Sequence, residues 1–234
     1  LRAMFRSKID KVMRGAAMVV AGNEYIADRA RAAGAKNVQL VPTVVDDERY
    51  KLSTHYPNGD RGFTVGWIGS PATQYLLEPV LPIIESVLES PRDRFLTIGT
   101  RFGSPRFEGH EERPWSEETE VSDLAEIDVG IMPVRDAPFE RGKCGYKIIQ
   151  YMASGCAVVA SPIGANCDIV VEGETGFLAA TPEQWAAALR TLKNDLEMRR
   201  RMGAAGRQRF EKHYSLRSAV PRLAKILRGA ASGS

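Results

Sequence analysis

A short segment ahead of a predicted helix concentrates positive charge. Arg141, Lys143 and Lys147 lie on it, and Gly145 stands between the two lysines. Cations at the start of a helix oppose its dipole, whose positive end lies there. A bound anion would make the arrangement favourable, because glycine permits close backbone approach and helix N-termini offer free N–H groups. We therefore predict a site for a phosphate-type anion, with a solvated cationic helix start as the alternative.

Other polar residues follow the apolar runs of the sequence. Gly69, Ser70 and Thr73 come after FTVGWI, Asp136 comes after DVGIMP, and Gln150 lies in the segment KIIQYMASG. Hydroxyl, amide and carboxylate groups bind phosphate or sugar hydroxyls, although Asp136 is equally suited to a turn and Gln150 to an ordinary helix surface. Glycines of this kind are a weak phosphate signal by themselves, because most of them mark tight turns.

Short β-branched runs that alternate with amphipathic helices must position these residues. Five runs are predicted as strands: FTVGWIG, FLTIG, DVGIMP, AVVAS and GFLAA. Helices lie between them, including one over about Gln74–Leu88 and a short turn near Asp168. The pattern predicts an α/β fold with a Rossmann-like, doubly wound parallel sheet. Ligands of such sheets bind beyond the carboxyl ends of the strands, where the polar residues lie.

Further elements flank this series. Before it, AAMVVAG and VQLVP are predicted as strands around the helix NEYIADRARAAG, and a polar linker follows with a turn at Pro57, Asn58 and Gly59. After it, three helices are predicted in PEQWAAALRTLKND, LEMRRRMGAAGRQRFEKHY and SLRSAVPRLAKILRG. Ser215 is the expected N-cap of the last helix, and Pro221 in its second turn can kink it.

Composition excludes a disordered or fibrous chain, since 44% of the 234 residues are hydrophobic. The net charge is only +3, but from Arg190 onward 12 Lys and Arg face 3 Asp and Glu. This basic end is either a solvated helical face or a surface that attracts anionic lipid. Its cations are not interleaved with aromatic residues, which disfavours nucleic acid as a partner.

Neither a metal site nor a catalytic triad is predicted. The three cysteines and three histidines show no ligand or triad spacing, and an odd number of cysteines fits a reducing cytoplasm. No apolar run reaches the roughly 18 residues of a membrane span, and LRAMFRSKID lacks the apolar stretch of a signal peptide. Because the sequence starts at Leu1, we expect it to be a fragment.

The run from Asp128 to Ala179 resembles the group-1 glycosyltransferases, a retaining family of GT-B fold that uses nucleotide-sugar donors. It contains an Asp-bearing strand that ends in Pro, a polar loop, a helix that ends in M-A-x-G, and the strand VVAS. The patterns G-x-x-x-x-I-V and G-x-x-G-F-L then follow. Weaker resemblance covers VVAGNEYIADRARAAG, the following VPTVVD, and EKHYS before the last helix.

The resemblance implies the C-terminal half of a GT-B fold, which holds the donor. Residues 1–60 are then the end of the N-terminal acceptor domain and the interdomain linker, and residues 61–212 are the donor-binding Rossmann-like domain. Residues 213–234 are a helix that crosses back toward the acceptor domain. It also implies sugar transfer with retention of configuration, assisted by the donor phosphate, so that no general base is needed from this domain. Alone, the chain is expected to be inactive.

Two departures from the family pattern concern the site. The family carries two glutamates across the loop and helix, where this chain has Gly142 and Gln150. It also has an Arg and a Lys after the first donor-domain strand, where this chain has Ser70 and then Thr73 or Gln74. The diphosphate site is therefore assigned to Gly69, Ser70, Thr73, Arg141, Lys143, Gly145, Tyr146 and Lys147, and the ribose or sugar site to Gln150 and Asp136.

Several alternatives stay open at this point. A nucleotide-sugar epimerase of similar fold would need carboxylates and histidine in the cleft, and a binding or regulatory module would retain nucleotide affinity without transfer. Trp67 and Trp185 are assigned to packing, whereas Trp115 either joins the core or stacks beside a base. The expected partners are a UDP- or GDP-linked sugar and an unknown acceptor, with possible contact to the inner face of an anionic membrane. No cofactor and no metal are expected.

Overall fold

The computed structural model describes residues 2–51 and 62–232. Its first part is a small parallel sheet with helices, composed of α1 (Arg2–Gly15), β1 (Val19–Ala21), α2 (Glu24–Ala32) and β2 (Val38–Leu40). Asn23 begins α2, where its side chain accepts a hydrogen bond from the Ile26 N–H at 2.8 Å. The predicted strands and helix of this part are confirmed. The predicted turn at residues 57–59 lies outside the described residues.

A six-stranded parallel sheet forms the centre of the molecule. Its strands are β3 (Thr64–Ile68), β4 (Arg94–Ile98), β5 (His110–Arg113), β6 (Val129–Met132), β7 (Ala157–Ala160) and β8 (Gly176–Leu178). They are arranged in the order β5-β4-β3-β6-β7-β8. This order confirms a doubly wound sheet, in which the direction of winding reverses between β3 and β6.

Helices cover both faces of the sheet. They are α3 (Leu81–Val87), α4 (Glu120–Leu124), α5 (Pro138–Arg141), α6 (Tyr146–Ala153), α7 (Asn166–Ile169), α8 (Pro182–Asn194), α9 (Leu196–His213) and α10 (Leu216–Ser232). One core contains Val158 of β7 with Ile148 of α6 and Phe210 of α9. The other contains the adjacent strand residue Val159 with Leu189 of α8. Neighbouring residues of a strand thus face opposite cores, as strand geometry requires.

The prediction of five strands was one short, because it omitted β5. The sequence of β5, HEER, carries three charged residues and shows no apolar run. In the fold β5 is an edge strand, and Arg113 pairs with Asp123 at 2.8 Å and with Glu126 at 2.7 Å. These ion pairs replace the buried apolar side chains that identify a strand in sequence.

The continuous helix predicted over Gln74–Leu88 is also wrong. The segment begins as a 3-10 turn, Pro71–Leu76, and α3 starts only at Leu81. Pro79 lies between these two pieces, and Pro82 lies in the first turn of α3. A proline removes a backbone donor and its ring clashes with the carbonyl four residues earlier, so a single helix cannot run through both.

A tyrosine holds β3 and β6 together where their backbones separate. The two strands pair only at Val65 with Val129 and at Gly66 with Gly130. Beyond these pairs, the Tyr151 hydroxyl accepts a hydrogen bond from the Ile68 N–H at 3.0 Å and donates one to the Ile131 carbonyl at 3.2 Å. A side chain on Gly130 would collide with the Tyr151 ring. The glycine therefore admits the ring that bridges the separated strand ends.

The basic C-terminal part is folded into helices, and several of its cations have partners within the fold. Lys193 pairs with Asp93 at 2.8 Å, and Arg209 donates to the Ile169 carbonyl at 2.8 Å. Ser215 caps α10 as predicted, since its hydroxyl accepts from the Ser218 N–H at 3.1 Å, and the helix continues through Pro221. Among the residues described, no helix combines the length and apolar character needed to cross a membrane.

Candidate functional site

A cavity of about 700 Å³ opens at the carboxyl ends of β3, β4 and β5, beside the start of α6. This is the edge of the sheet next to its reversal point, where doubly wound folds bind ligands. Three loops and one helix contribute to it: Gly69, Ser70 and Pro71 after β3, Gly99, Thr100 and Arg101 after β4, Pro114 and Trp115 after β5, and Tyr146, Lys147 and Gln150 from α6.

Lys147 places a desolvated amine on this cavity. Its Nζ lies 3.8 Å from the centre of the Trp67 ring, whose side chain is fully buried. Burial, together with the smaller effect of the nearby charge of Lys143, lowers the pKa of Lys147 to about 7. Among the described residues, no carboxylate oxygen lies within 4 Å of this amine. When it is protonated, Lys147 therefore carries a charge that no carboxylate of the described residues offsets at contact distance.

Glycines let the backbone approach this amine. A side chain on Gly69 would collide with both Lys147 Nζ and the Trp67 ring. Gly99 has a φ of 82°, a conformation that favours glycine, and a side chain there would collide with the Gly69 carbonyl. The loops after β3 and β4 are thus packed together beneath Lys147. Ser70 lines the cavity, whereas Thr73 does not, and the Thr73 hydroxyl donates to the Ser70 carbonyl at 3.1 Å.

The other predicted cations are not at the cavity. Arg141 pairs with Asp136 at 2.5 Å on the surface, and the hydrogen bond from its guanidinium lowers the pKa of the Asp136 carboxyl. Lys143 lies 5.2 Å from the centre of the Phe139 ring, and burial lowers its pKa. Neither cation lines the cavity. Lys143 precedes α6, so it does not share a helical face with Lys147.

Gly145 forms the tight backbone turn that precedes α6. Its φ of 66° is left-handed, and a side chain there would collide with Ile169. Tyr146, the first residue of the helix, is 47% exposed and lines the cavity. The backbone thus turns sharply before α6 and directs the first residues of the helix into the cavity.

Gln150 belongs to a hydrogen-bonded group that sequence reasoning did not detect. Its Nε2 donates to the Tyr50 hydroxyl at 2.7 Å, and that hydroxyl donates to the buried carboxylate of Glu120. Burial and this carboxylate raise the pKa of Tyr50. Arg49 lies 3.3 Å from the same carboxylate. These four residues come from three distant parts of the chain, and nothing in their spacing indicates the contact.

The group 1 glycosyl transferase family model matches residues 65–195, which is more than half of the chain. Among curated proteins, 91 residues are 37% identical to sulfoquinovosyl transferase SQD2 of Arabidopsis thaliana, covering 37% of this chain and 18% of that protein. A longer match, 26% identical over 186 residues, is to TuaH of Bacillus subtilis, which is named for a glycosyltransferase role in teichuronic acid biosynthesis. It covers 69% of this chain and 45% of TuaH.

Solved structures share the fold. Sucrose-phosphate synthase of Thermosynechococcus elongatus superposes with a TM-score of 0.80 at 18% identity, over 100% of this chain and 64% of that one. HepE of Anabaena, in complex with UDP and glucose, gives 0.77 at 16% identity, over 97% and 67%. The chain spans less than half the length of the curated relatives it matches. On the family match, the chain belongs to the group 1 glycosyl transferases.

Proposed function

We propose that this chain binds the nucleotide-diphosphate sugar of a retaining glycosyltransferase, with the diphosphate against Lys147. The observation that carries the proposal is the amine of Lys147, which faces a 700 Å³ cavity without a carboxylate within 4 Å among the described residues. A cation in such a place is costly unless an anion joins it. The UDP bound to HepE supports a nucleoside diphosphate as that anion.

The proposed chemistry needs charge where the sugar leaves. Cleavage of the sugar–phosphate bond leaves negative charge on the departing β-phosphate, and a preorganised cation stabilises that charge most where water is excluded. Lys147 meets both conditions, since burial has already removed much of its hydration. We further propose that transfer retains configuration and is assisted by the donor phosphate, a course that requires no general base from this domain.

We also propose that the acceptor is held by parts of the protein outside residues 61–212. The start of α10 contacts the segment before residue 52, because Val45 and Ser215 form a β-bridge and Leu216 N–H donates to the Val45 carbonyl at 2.9 Å. Transfer requires the acceptor to be positioned against the donor. The 234-residue chain is therefore expected to bind nucleotide without sugar transfer, and sustained turnover by the purified chain would contradict this.

Calorimetric titration of the chain with UDP and GDP tests the diphosphate site. An ionic hydrogen bond to phosphate contributes roughly 1.5 to 3 kcal/mol, so Lys147→Ala should weaken binding of the matching nucleotide about 10- to 150-fold. Uridine and guanosine, which lack phosphate, should bind both proteins equally.

Lys143→Ala is the matched control. It removes a lysine only four residues from Lys147, and the Lys143 side chain does not line the cavity. Its affinity should change less than threefold, within the range of screened surface charges. Unchanged diphosphate affinity in Lys147→Ala would refute the proposed site, and a large loss in Lys143→Ala alone would move the site to the surface loop.

A further inference from the structure

Trp115 differs from the other two tryptophans of the chain. Trp67 and Trp185 are 0% and 4% exposed, whereas Trp115 is 52% exposed and lines the cavity that contains Lys147. Core packing, one of the two roles considered for Trp115 from sequence, is therefore wrong. A large aromatic ring that remains exposed inside a cavity provides apolar area that a ligand can cover.

The indole ring of Trp115 is oriented by a hydrogen bond to a buried carboxylate. Its Nε1 donates to Glu120 Oε2 at 2.5 Å, and Glu120 is only 5% exposed and also accepts from Tyr50. At the other end, the side chain lies against Gly99, where an added Cβ would be 3.2 Å from Trp115 Cβ. A ring fixed in this way loses little conformational entropy when a planar group stacks on it.

The position of Trp115 relative to Lys147 indicates which group would stack. Lys147 lies over the loop that follows β3, and Trp115 follows β5, two strands away. Two strand spacings amount to roughly 10 Å. A group joined directly to the diphosphate would remain near Lys147, whereas a ribose fills the interval and carries an aromatic base toward Trp115.

We propose that Trp115 is the surface on which the nucleobase of the donor stacks, an inference that rests on the proposed function. Every base has a π-face, and stacking of one base on an aromatic side chain tolerates changes of base. Trp115 then contributes affinity for both uracil and guanine nucleotides. Lys147 and Trp115 divide the ligand between them, since one binds the phosphates and the other binds the base.

Titration of the full 234-residue chain with UDP, GDP and inorganic pyrophosphate separates these contributions. Trp115→Leu should lower the affinity for UDP or GDP, whichever the chain binds, by about 5- to 150-fold and leave the affinity for pyrophosphate unchanged. Trp115→Phe should retain most of the nucleotide affinity. Nucleotide should also quench the tryptophan emission of the unmodified chain, and Trp115→Phe should abolish that quenching. Tyr25→Ala, which removes an exposed aromatic ring outside the cavity, should change nothing.

Each outcome decides the proposal. Equal nucleotide affinity in the unmodified chain and Trp115→Leu overturns it and assigns the ring to another partner. If Trp115→Leu and Trp115→Phe both lose affinity for nucleotide and for pyrophosphate to the same extent, the proposal is also overturned, because the ring would then support the diphosphate site. If the unmodified chain binds neither UDP nor GDP, the proposed function fails and this inference fails with it.

Discussion

The amine of Lys147 is costly to the free chain and useful to the proposed complex. Burial lowers its pKa from the ordinary 10.5 to about 7. The ring of Trp67 at 3.8 Å offers some compensation to the cation, although far less than a carboxylate would. A diphosphate would supply the missing counter-charge and raise the pKa again. Binding and protonation at this residue are therefore linked.

Diphosphate affinity should fall as the pH rises from about 7 to 9. The free amine is increasingly neutral above its pKa of about 7, so binding must recruit a proton, and affinity falls by up to about tenfold per pH unit. Lys147→Arg should remove this slope, because a guanidinium stays charged. Calorimetry at several pH values measures both proteins, and equal slopes would show that Lys147 is not the group that titrates.

Lys147→Met should stabilise the free chain while it weakens nucleotide binding. Because the pKa of Lys147 is lower in the folded chain than in the unfolded one, the unfolded chain holds more protons between pH 7 and 10.5. The stability of the unmodified chain therefore rises with pH through this window. At pH 7 the substitution should gain on the order of 1 to 3 kcal/mol, and the gain should shrink toward pH 10. Thermal unfolding of both proteins across this range measures it, and a lower Tm for Lys147→Met at pH 7 would contradict the explanation.

At the scale of elements, the reversal point between β3 and β6 depends on one hydroxyl. Tyr151 replaces the ladder hydrogen bond that Ile68 and Ile131 lose where the strands separate. Its ring reaches that point because Gly130 has no side chain. The opening beside Lys147 and the continuity of the sheet are thus produced by the same helix, α6.

Tyr151→Phe should destabilise the chain by about 1 to 3 kcal/mol, because a buried N–H and a buried carbonyl each lose a partner. Tyr25→Phe is the matched control: Tyr25 is 38% exposed, so water can solvate its hydroxyl, and loss of that hydroxyl should cost under about 0.5 kcal/mol. Urea unfolding measures both. Similar losses in the two variants would remove the special role of Tyr151.

The sequence predicted those elements whose local signals agree with their tertiary surroundings. Apolar runs identified β3, β4, β6, β7 and β8, but β5 stayed hidden because ion pairs, rather than apolar burial, stabilise it. The sequence shows that the loop before α6 is positively charged, but it does not show which of these side chains point to the cavity and which to the surface. Arg141 pairs with Asp136 in the same loop, whereas Lys147 turns inward over Trp67, a neighbour distant in sequence. For the same reason, Glu120 and Tyr50 could not be predicted as neighbours of Gln150.

At the scale of the whole molecule, the basic end is less available than its composition indicates. Lys193 and Arg209 bind within the fold, and Arg217 pairs with Asp47 at 3.1 Å. Arg222 and Lys225 of α10 have no carboxylate within 4 Å among the described residues. They line a surface cleft with Asn37, Gln39 and Met18. These two cations should therefore contribute to any attraction of the chain to anionic surfaces.

Vesicle pelleting tests this expectation on the full-length protein. Each exposed cation near an anionic surface contributes about 1 kcal/mol, so the double variant Arg222→Gln, Lys225→Gln should pellet about 10- to 30-fold less with anionic vesicles at low salt. Arg200→Gln, which removes a cation already paired with Glu197, should behave as the unmodified protein. Equal pelleting with neutral and anionic vesicles would contradict the membrane hypothesis.

The most direct test of the central claim is a crystal structure of this chain with a bound nucleoside diphosphate. We predict a phosphate oxygen about 2.7 to 2.9 Å from Lys147 Nζ, the spacing of a charge-assisted hydrogen bond, with the base on the ring of Trp115. A diphosphate bound instead at Arg141 and Lys143, with the Lys147 cavity unchanged, would contradict it.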